Sequence, residues 1–260
     1  MVTMEHKVVV INAAASGIGL ETAKAFARCK AKLVISDINE EALAAAAAEL
    51  RELGGTVSHF VCNMSNPEEV EALFEKVFAQ HSRVDVLINN VGIAGPTKPI
   101  EDITLEEWDQ TMGINVRGAF QCIKAVVPSM KQNGGGRIVS MSSMSGKRPL
   151  PFRTPYCAAK MAIIGMTRTL AAELGEYNIL VNAVCPGSVS GGRLNYIIEQ
   201  QAKLENRPVK EVYQEYVAPS PLKRFVAPEM IARTILFLAS DENTAITGED
   251  VNVTAGVCMF

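Results

Sequence analysis

With 260 residues, 48% of them hydrophobic and 20% charged, the chain has the composition of a well-packed globular α/β protein. A formal net charge of −3 gives no electrostatic basis for nucleic acid or an anionic membrane as a partner, and no apolar run approaches the roughly 18–20 residues that span a bilayer. The histidines His6, His59 and His81 and the cysteines Cys29, Cys62, Cys122, Cys157, Cys185 and Cys258 are scattered without a C-x-x-C pair, so neither a metal site nor a disulfide frame is expected.

In chain order, Val8 to Ile11 reads as a first strand and Gly17 to Cys29 as the helix after it. Leu33-Val34-Ile35-Ser36 is a second strand, and an alanine-rich helix around Ala44 to Ala48 runs to the Gly54-Gly55 breaker. Thr56 to Val61 is a third strand and Pro67 to Gln80 a third helix with Asn66 as its N-cap. Val84 to Ile88 is a fourth strand, Trp108 to Met130 one long fourth helix, and Arg137 to Met141 a fifth strand. Pro155 to Leu174 is a fifth helix, Leu180 to Val184 a sixth strand, Ala227 to Ala239 a further helix and Asp250 to Val253 the last strand. Nearly continuous apolar strands, each followed by a helix, are the pattern of a parallel sheet buried on both faces. The expectation is an α/β, doubly wound, Rossmann-type sheet of about seven strands forming a single domain over residues 1–260. One insertion, 188–226, is too long for an ordinary strand–helix connection. The start, Met1 through Glu5 and His6 into Val8-Val9-Val10-Ile11, shows no leader, and the unpaired thiols fit a reducing, cytoplasmic setting.

After the first strand, Asn12-Ala13-Ala14-Ala15-Ser16-Gly17-Ile18-Gly19 opens the first helix. Small residues at a helix N-terminus let a pyrophosphate approach unpaired backbone N–H groups. Glycines that serve only tight packing give the same pattern. Asp37, at the end of the second strand, is placed to accept hydrogen bonds from ribose hydroxyls and to repel a 2′-phosphate, and its neighbours Ser16 and Ile38 supply no compensating cation. NAD is therefore expected, with NADP disfavoured; capping of the following helix is the other use of this carboxylate. Tyr156 and Lys160 stand four residues apart on a helical segment and so share a face. A cation beside a phenol favours the phenolate, which brings tyrosine chemistry toward neutral pH.

The phosphate turn, Asp37, Asn89-Asn90-Val91-Gly92, Asn115, Ser143, Tyr156, Lys160 and Pro186-Gly187 occur in this order, and with them the chain resembles the short-chain dehydrogenase/reductase family over nearly its whole length. The resemblance implies Tyr156 as general acid/base, Lys160 as its cationic partner and a ligand of the nicotinamide ribose, and Ser143 as a hydrogen-bond donor to the substrate oxygen. It implies Asn115 as the holder of a relay water. The implied cofactor contacts are Asn12, Ala15, Ser16, Gly17, Ile18, Gly19, Asp37, Ile38, Asn63, Met64, Asn90, Val91, Gly92, Tyr156, Lys160, Pro186, Gly187 and Val189. It also implies a homotetramer or dimer built from the long fourth and fifth helices and the last strand. The chain departs from the family pattern at Ala13 (a glycine there), Asn63 (an aspartate), Val91 (an alanine), Gly191 (a threonine or serine, for which Ser188 or Ser190 would substitute) and Thr254-Ala255-Gly256 (Asp-Gly-Gly).

The insertion is expected to cover the substrate, with Arg193, Tyr196, Tyr213 and Tyr216 as candidate contacts, the last two also fitting as packing residues at helical spacing. Lys147, Arg148 and Arg153 make an unusually basic stretch between Ser143 and Tyr156. Arg153 is the first candidate to pair with an anionic substrate group, a solvated or intersubunit loop being the other reading. Three function classes remain: an NAD-dependent dehydrogenase of secondary alcohols or ketone reductase, a 3-oxoacyl thioester reductase, and a non-catalytic NAD-binding sensor or partner protein.

Overall fold

The computed structural model describes residues 3–260. Its elements are β1 (Val8–Asn12), α1 (Gly17–Arg28), β2 (Lys32–Asp37), α2 (Glu40–Glu52), β3 (Thr56–Val61), α3 (Pro67–Gln80), β4 (Val86–Asn89), α4 (Leu105–Met112), α5 (Gly118–Gln132), β5 (Gly136–Met141), α6 (Thr154–Leu174), β6 (Ile179–Pro186), α7 (Gly192–Leu204), α8 (Val209–Val217), α9 (Pro228–Ala239) and β7 (Asp250–Val253). In α7 the side chains of Arg193, Ile197, Gln200, Gln201 and Leu204 lie outside the described residues.

The strands form one seven-stranded sheet in the order β3-β2-β1-β4-β5-β6-β7, and every neighbouring pair is parallel. The two-residue period of a strand sorts its side chains onto two faces. Val9 and Ile11 of β1 join Leu33, Ile35 and Ile88 in a core shared with Phe26 of α1, Leu43 and Leu50 of α2 and Ile235 of α9. Val8 and Val10 face the other way with Val34 and Leu87, against Phe74 and Val77 of α3 and Ile123 and Val126 of α5. This is the two-sided burial that the apolar strands predict.

Most boundaries fall within two residues of the sequence expectation, and the differences that matter lie in the fourth strand and the fourth helix. The fourth strand starts at Val86, just after Asp85, whose carboxylate accepts the Val8 N–H at 2.8 Å. The long fourth helix begins earlier, at Leu105, behind a reciprocal cap in which Thr104 accepts the Glu107 N–H and Glu107 accepts the Thr104 N–H. It is then interrupted by a π-helical turn at Gly113–Arg117 that separates α4 from α5. The expected insertion holds α7 and α8. They enclose a small core of Ile198, Ala202, Val212, Val217 and Phe225, tied to the body by a parallel bridge between Val189 and Val226.

Candidate active site

Strand order reverses at β1, whose neighbours are β2 and β4. Connections leaving in opposite directions open a crevice at the carboxyl ends of these strands, where open α/β sheets take ligands. A cleft of about 680 Å³ lies there. Of the residues expected from sequence, Ser16, Gly17, Ile18, Asp37, Asn90, Gly92, Ser143, Arg153, Tyr156, Lys160, Pro186, Gly187 and Val189 line it.

The turn after β1 is built for close backbone approach. Gly17 has φ +55° with open space where a side chain would stand. A methyl on Gly19 would fall 2.1 Å from the Ala13 carbonyl oxygen and 2.6 Å from Asn90 Nδ2, the acceptor and donor of a 2.8 Å bond that pins the turn to the end of β4. Ala13 adopts φ +49°, a left-handed conformation that its β-carbon disfavours. Asn12 is buried and does not line the cleft. Its Oδ1 accepts the backbone N–H groups of Asn90 and Val91 at 2.8 and 2.7 Å, so it acts on the cleft by shaping the Asn90–Gly92 loop. Helices α2, α3 and α4 are capped by Asn39, Asn66 and Thr104. Helix α1 has no side-chain cap and no acidic residue in its first turn. Its free N–H groups and dipole face the cleft, which is what a pyrophosphate requires.

Asp37 closes this end. Its carboxylate accepts the Ala15 N–H and the Asn39 N–H, both at 3.1 Å. Asn39 caps α2 through the Ala42 N–H, so capping is not what Asp37 does. Besides Asn12, further expected contacts stand off the cleft lining. Ile38 is 66% exposed, Met64 is buried against Cys122, and Asn63 spends its Oδ1 on the backbone and hydroxyl of Ser65. Ala15, Gly19 and Val91 also lie behind the lining.

At the opposite end, Tyr156 and Lys160 share a face of α6, with the ammonium 5.8 Å from the ring centroid. Lys160 is buried and donates to the Met141 carbonyl at 2.8 Å. Burial pushes its pKa down to about 8, with weak opposition from Cys185. Ser142 fixes the same helix by donating to the Lys160 carbonyl at 2.7 Å. Ser143 is held at the cleft wall by accepting the Ser145 N–H. Asn115 sits in the π-helical turn, off the lining, where it binds both backbone groups of Ile93, accepting its N–H at 2.7 Å and donating to its carbonyl at 3.0 Å. A methyl on Gly92 would lie 3.1 Å from Lys160 Nζ and 3.2 Å from Asn115 Oδ1, so this glycine lets the Asn115-held loop approach the ammonium.

Beyond β6, Gly187 is packed against the backbone of Thr254, and Ser190, one of the two expected substitutes at the Gly191 position, lines the cleft while Ser188 does not. Of the substrate candidates, Arg153 lines the cleft, Tyr196 is 63% exposed outside it, and the Arg193 side chain lies outside the described residues. Tyr213 packs edge-on against Phe225 with centroids 4.9 Å apart, the packing role its spacing allowed. Sequence reading missed Ile93, Ala94, Leu194 and Pro228, which also line the cleft. Proximity to the Asn90–Gly92 motif could have marked the first two; nothing local marks Pro228.

The family described as Enoyl-(Acyl carrier protein) reductase matches residues 13–258. A 3-oxoacyl-(acyl-carrier-protein) reductase of Thermotoga maritima is 35% identical over 98% of this chain and 99% of its own length. A D-beta-hydroxybutyrate dehydrogenase of Rhizobium meliloti is 33% identical over 96% of this chain and 98% of its own. Among solved structures, an NAD+-bound xylitol dehydrogenase superimposes with a TM-score of 0.91 at 32% identity, covering 97% of this chain and 99% of that one.

Proposed function

The chain belongs to the short-chain dehydrogenase/reductase family of oxidoreductases, and on that premise we propose that it is an NAD-dependent enzyme interconverting a secondary alcohol and a ketone. The observation that carries the proposal is one cleft that joins an uncapped α1 N-terminus and Asp37 at one end to Ser143, Tyr156 and Lys160 at the other. The residues fit a dinucleotide: Gly17 leaves open space over the helix start, Asp37 supplies an acceptor for ribose hydroxyls, and Pro186, Gly187 and Val189 border the far end. When bound, the nicotinamide exchanges a hydride with the carbinol carbon.

Tyr156 holds or releases the proton of the substrate oxygen. Ser143 orients that oxygen by a hydrogen bond, so that it meets the phenol in a reactive geometry. Lys160 keeps a positive charge beside the phenol, and its pKa of about 8 allows it to pass a proton on near neutral pH. Asn115 holds the Ile93 backbone against this pair and, in this reading, positions the water through which the proton passes from Lys160 toward solvent.

Asp37 selects NADH in this reading, because a 2′-phosphate 4 Å away would be repelled by about 4 kcal/mol at an effective dielectric near 20. A 3-oxoacyl thioester reductase is the second reading, favoured by the Thermotoga maritima relative; it ordinarily draws on NADPH, which Asp37 opposes. The proposal extends to a cytoplasmic setting, in keeping with six unpaired cysteines, and to a homotetramer or dimer, supported by exposed Phe120 on α5 and Met161 on α6. No described helix is long and apolar enough to cross a membrane.

The test is a fluorescence titration with NADH and NADPH, followed by an alcohol and ketone panel for wild type and Tyr156→Phe. Micromolar NADH binding shared by both proteins, with hydride transfer lost in the variant by about 1000-fold or more, is expected. A variant that turns over as the wild type does would remove Tyr156 from the chemistry.

A further inference from the structure

Of the three basic residues between Ser143 and Tyr156, two have other occupations. Lys147 pairs with Asp250 at 3.5 Å and donates to Asn252 at 3.2 Å, on the β7 side of the sheet. Arg148 is exposed and stands off the cleft lining. Arg153 is different. It sits at the head of α6 with its guanidinium carbon 5.3 Å from the centroid of the Tyr156 ring, on the cleft wall.

Its charge lies beside that ring face but has no acidic partner. Nη2 donates to the Ala94 carbonyl at 2.7 Å, and Nε is buried without a partner. Among the described residues no carboxylate lies within 4.0 Å of it. Among the described residues the one carboxylate on the cleft lining is Asp37, at the end of β2, whereas Arg153 follows β5. Two strands stand between β2 and β5, a separation of about 14 Å at the usual strand spacing, which exceeds the Debye length of about 8 Å at physiological salt. The second cation at this end, Lys160, is buried and bound to the Met141 carbonyl. The end of the cleft that holds the phenol is thus electropositive, and it keeps a guanidinium with Nη2 bound to a carbonyl and a buried Nε bound to nothing.

We propose that Arg153 is a specificity-determining residue that receives the carboxylate of the substrate, and that the enzyme acts on short hydroxy acids and the matching oxo acids. The inference rests on the reading of Tyr156 as the acid/base group and names the substrate class for that site. A carboxylate suits the position better than a phosphate. One planar guanidinium matches two coplanar oxygens, and among the described residues no second unengaged cation lines this end to balance a dianion. The Ala94 bond holds the guanidinium in place before substrate arrives, so little side-chain entropy is lost on binding.

The test uses the intact protein saturated with NADH. Calorimetric binding and reductive turnover are measured for 2-, 3- and 4-oxo acids of four to six carbons and for their methyl esters, with wild type, Arg153→Gln and Arg153→Lys. At least one acid should exceed its ester by tenfold or more in both affinity and kcat/KM. That acid-over-ester ratio should fall by about 10- to 100-fold in Arg153→Gln and partly recover in Arg153→Lys. Reading the ratio separates charge recognition from any general damage to the Ala94 loop, which lowers acid and ester together. Esters that match or exceed every acid in wild type overturn the proposal, as does a ratio that Arg153→Gln leaves unchanged. Failure of the underlying reading looks different: NADH does not bind, or neither acids nor esters are reduced.

Discussion

The Asp37 carboxylate accepts the Ala15 N–H at 3.1 Å and so ties the end of β2 to the turn that opens α1. One side chain thereby shapes the turn and sets the charge at this end of the cleft. Replacing Asp37 by serine and Ile38 by arginine should exchange repulsion of a 2′-phosphate for attraction. Ile38 is 66% exposed, so the longer side chain has room. The NADH-over-NADPH affinity ratio is expected to fall by about 100-fold or more, since a close charge pair near a surface is worth a few kcal/mol. Fluorescence titration with both nucleotides reads this directly, and an unchanged ratio would mean that Asp37 does not choose the cofactor.

Ala13 at φ +49° and Ala255 at φ +52° occupy conformations that suit glycine. An L-residue there costs roughly 1–2 kcal/mol, whereas glycine loses about 0.4–1 kcal/mol through a freer unfolded chain. The first effect is larger, so Ala13→Gly and Ala255→Gly should each stabilise the protein by about 0.5–1 kcal/mol. In a chain of this size that is roughly 1–4 °C in Tm. Calorimetry on the two variants checks it; a lower Tm would show that the alanines gain from packing what they lose in backbone strain.

Gly17 and Gly19 look alike in the sequence but not in space. Gly17→Ala meets no neighbour and should cost only the left-handed penalty less the gain from a stiffer unfolded chain, about 0.5–1 kcal/mol. Gly19→Ala drives a methyl into the Ala13 carbonyl and the Asn90 amide, two groups already fixed to each other, and should cost at least about 3 kcal/mol. Urea unfolding of the pair should rank them in that order. Equal losses would mean that the turn relaxes around the new methyl.

Much of the fold was legible because it rests on local regularities. Apolar strands with a helix after each predict a parallel sheet, and the Asn66 cap and the Gly54-Gly55 stop mark helix ends. The break between α4 and α5 was not legible. Gly113–Arg117 contains no proline, and the π-helical turn is coupled to bonds between Asn115 and Ile93, 22 residues away. Asn12 was readable in principle: strand alternation groups it with Val8 and Val10, on the side of α5, and its amide indeed reaches Cys122 there. Pro228 reaches the cleft only through the tertiary course of the chain after the insertion, which no local pattern encodes.

Lys160 offers the last prediction, because its burial costs stability in exchange for function. An ammonium whose pKa falls from 10.5 to about 8 on folding destabilises the folded protein wherever it is charged. Below pH 8 both folded and unfolded chains carry the proton and the full cost is present, on the order of 3 kcal/mol. Between pH 8 and 10.5 the unfolded chain binds more protons than the folded one, so stability rises with pH through that window and the cost disappears. Lys160→Met removes the charge at the expense of one hydrogen bond to the Met141 carbonyl, worth about 1 kcal/mol. The unliganded variant should therefore unfold at a higher temperature than wild type at pH 7 while losing hydride transfer, and its advantage should shrink as the pH approaches 10. A lower Tm at pH 7 would show that the ammonium is better compensated in the fold than its burial implies.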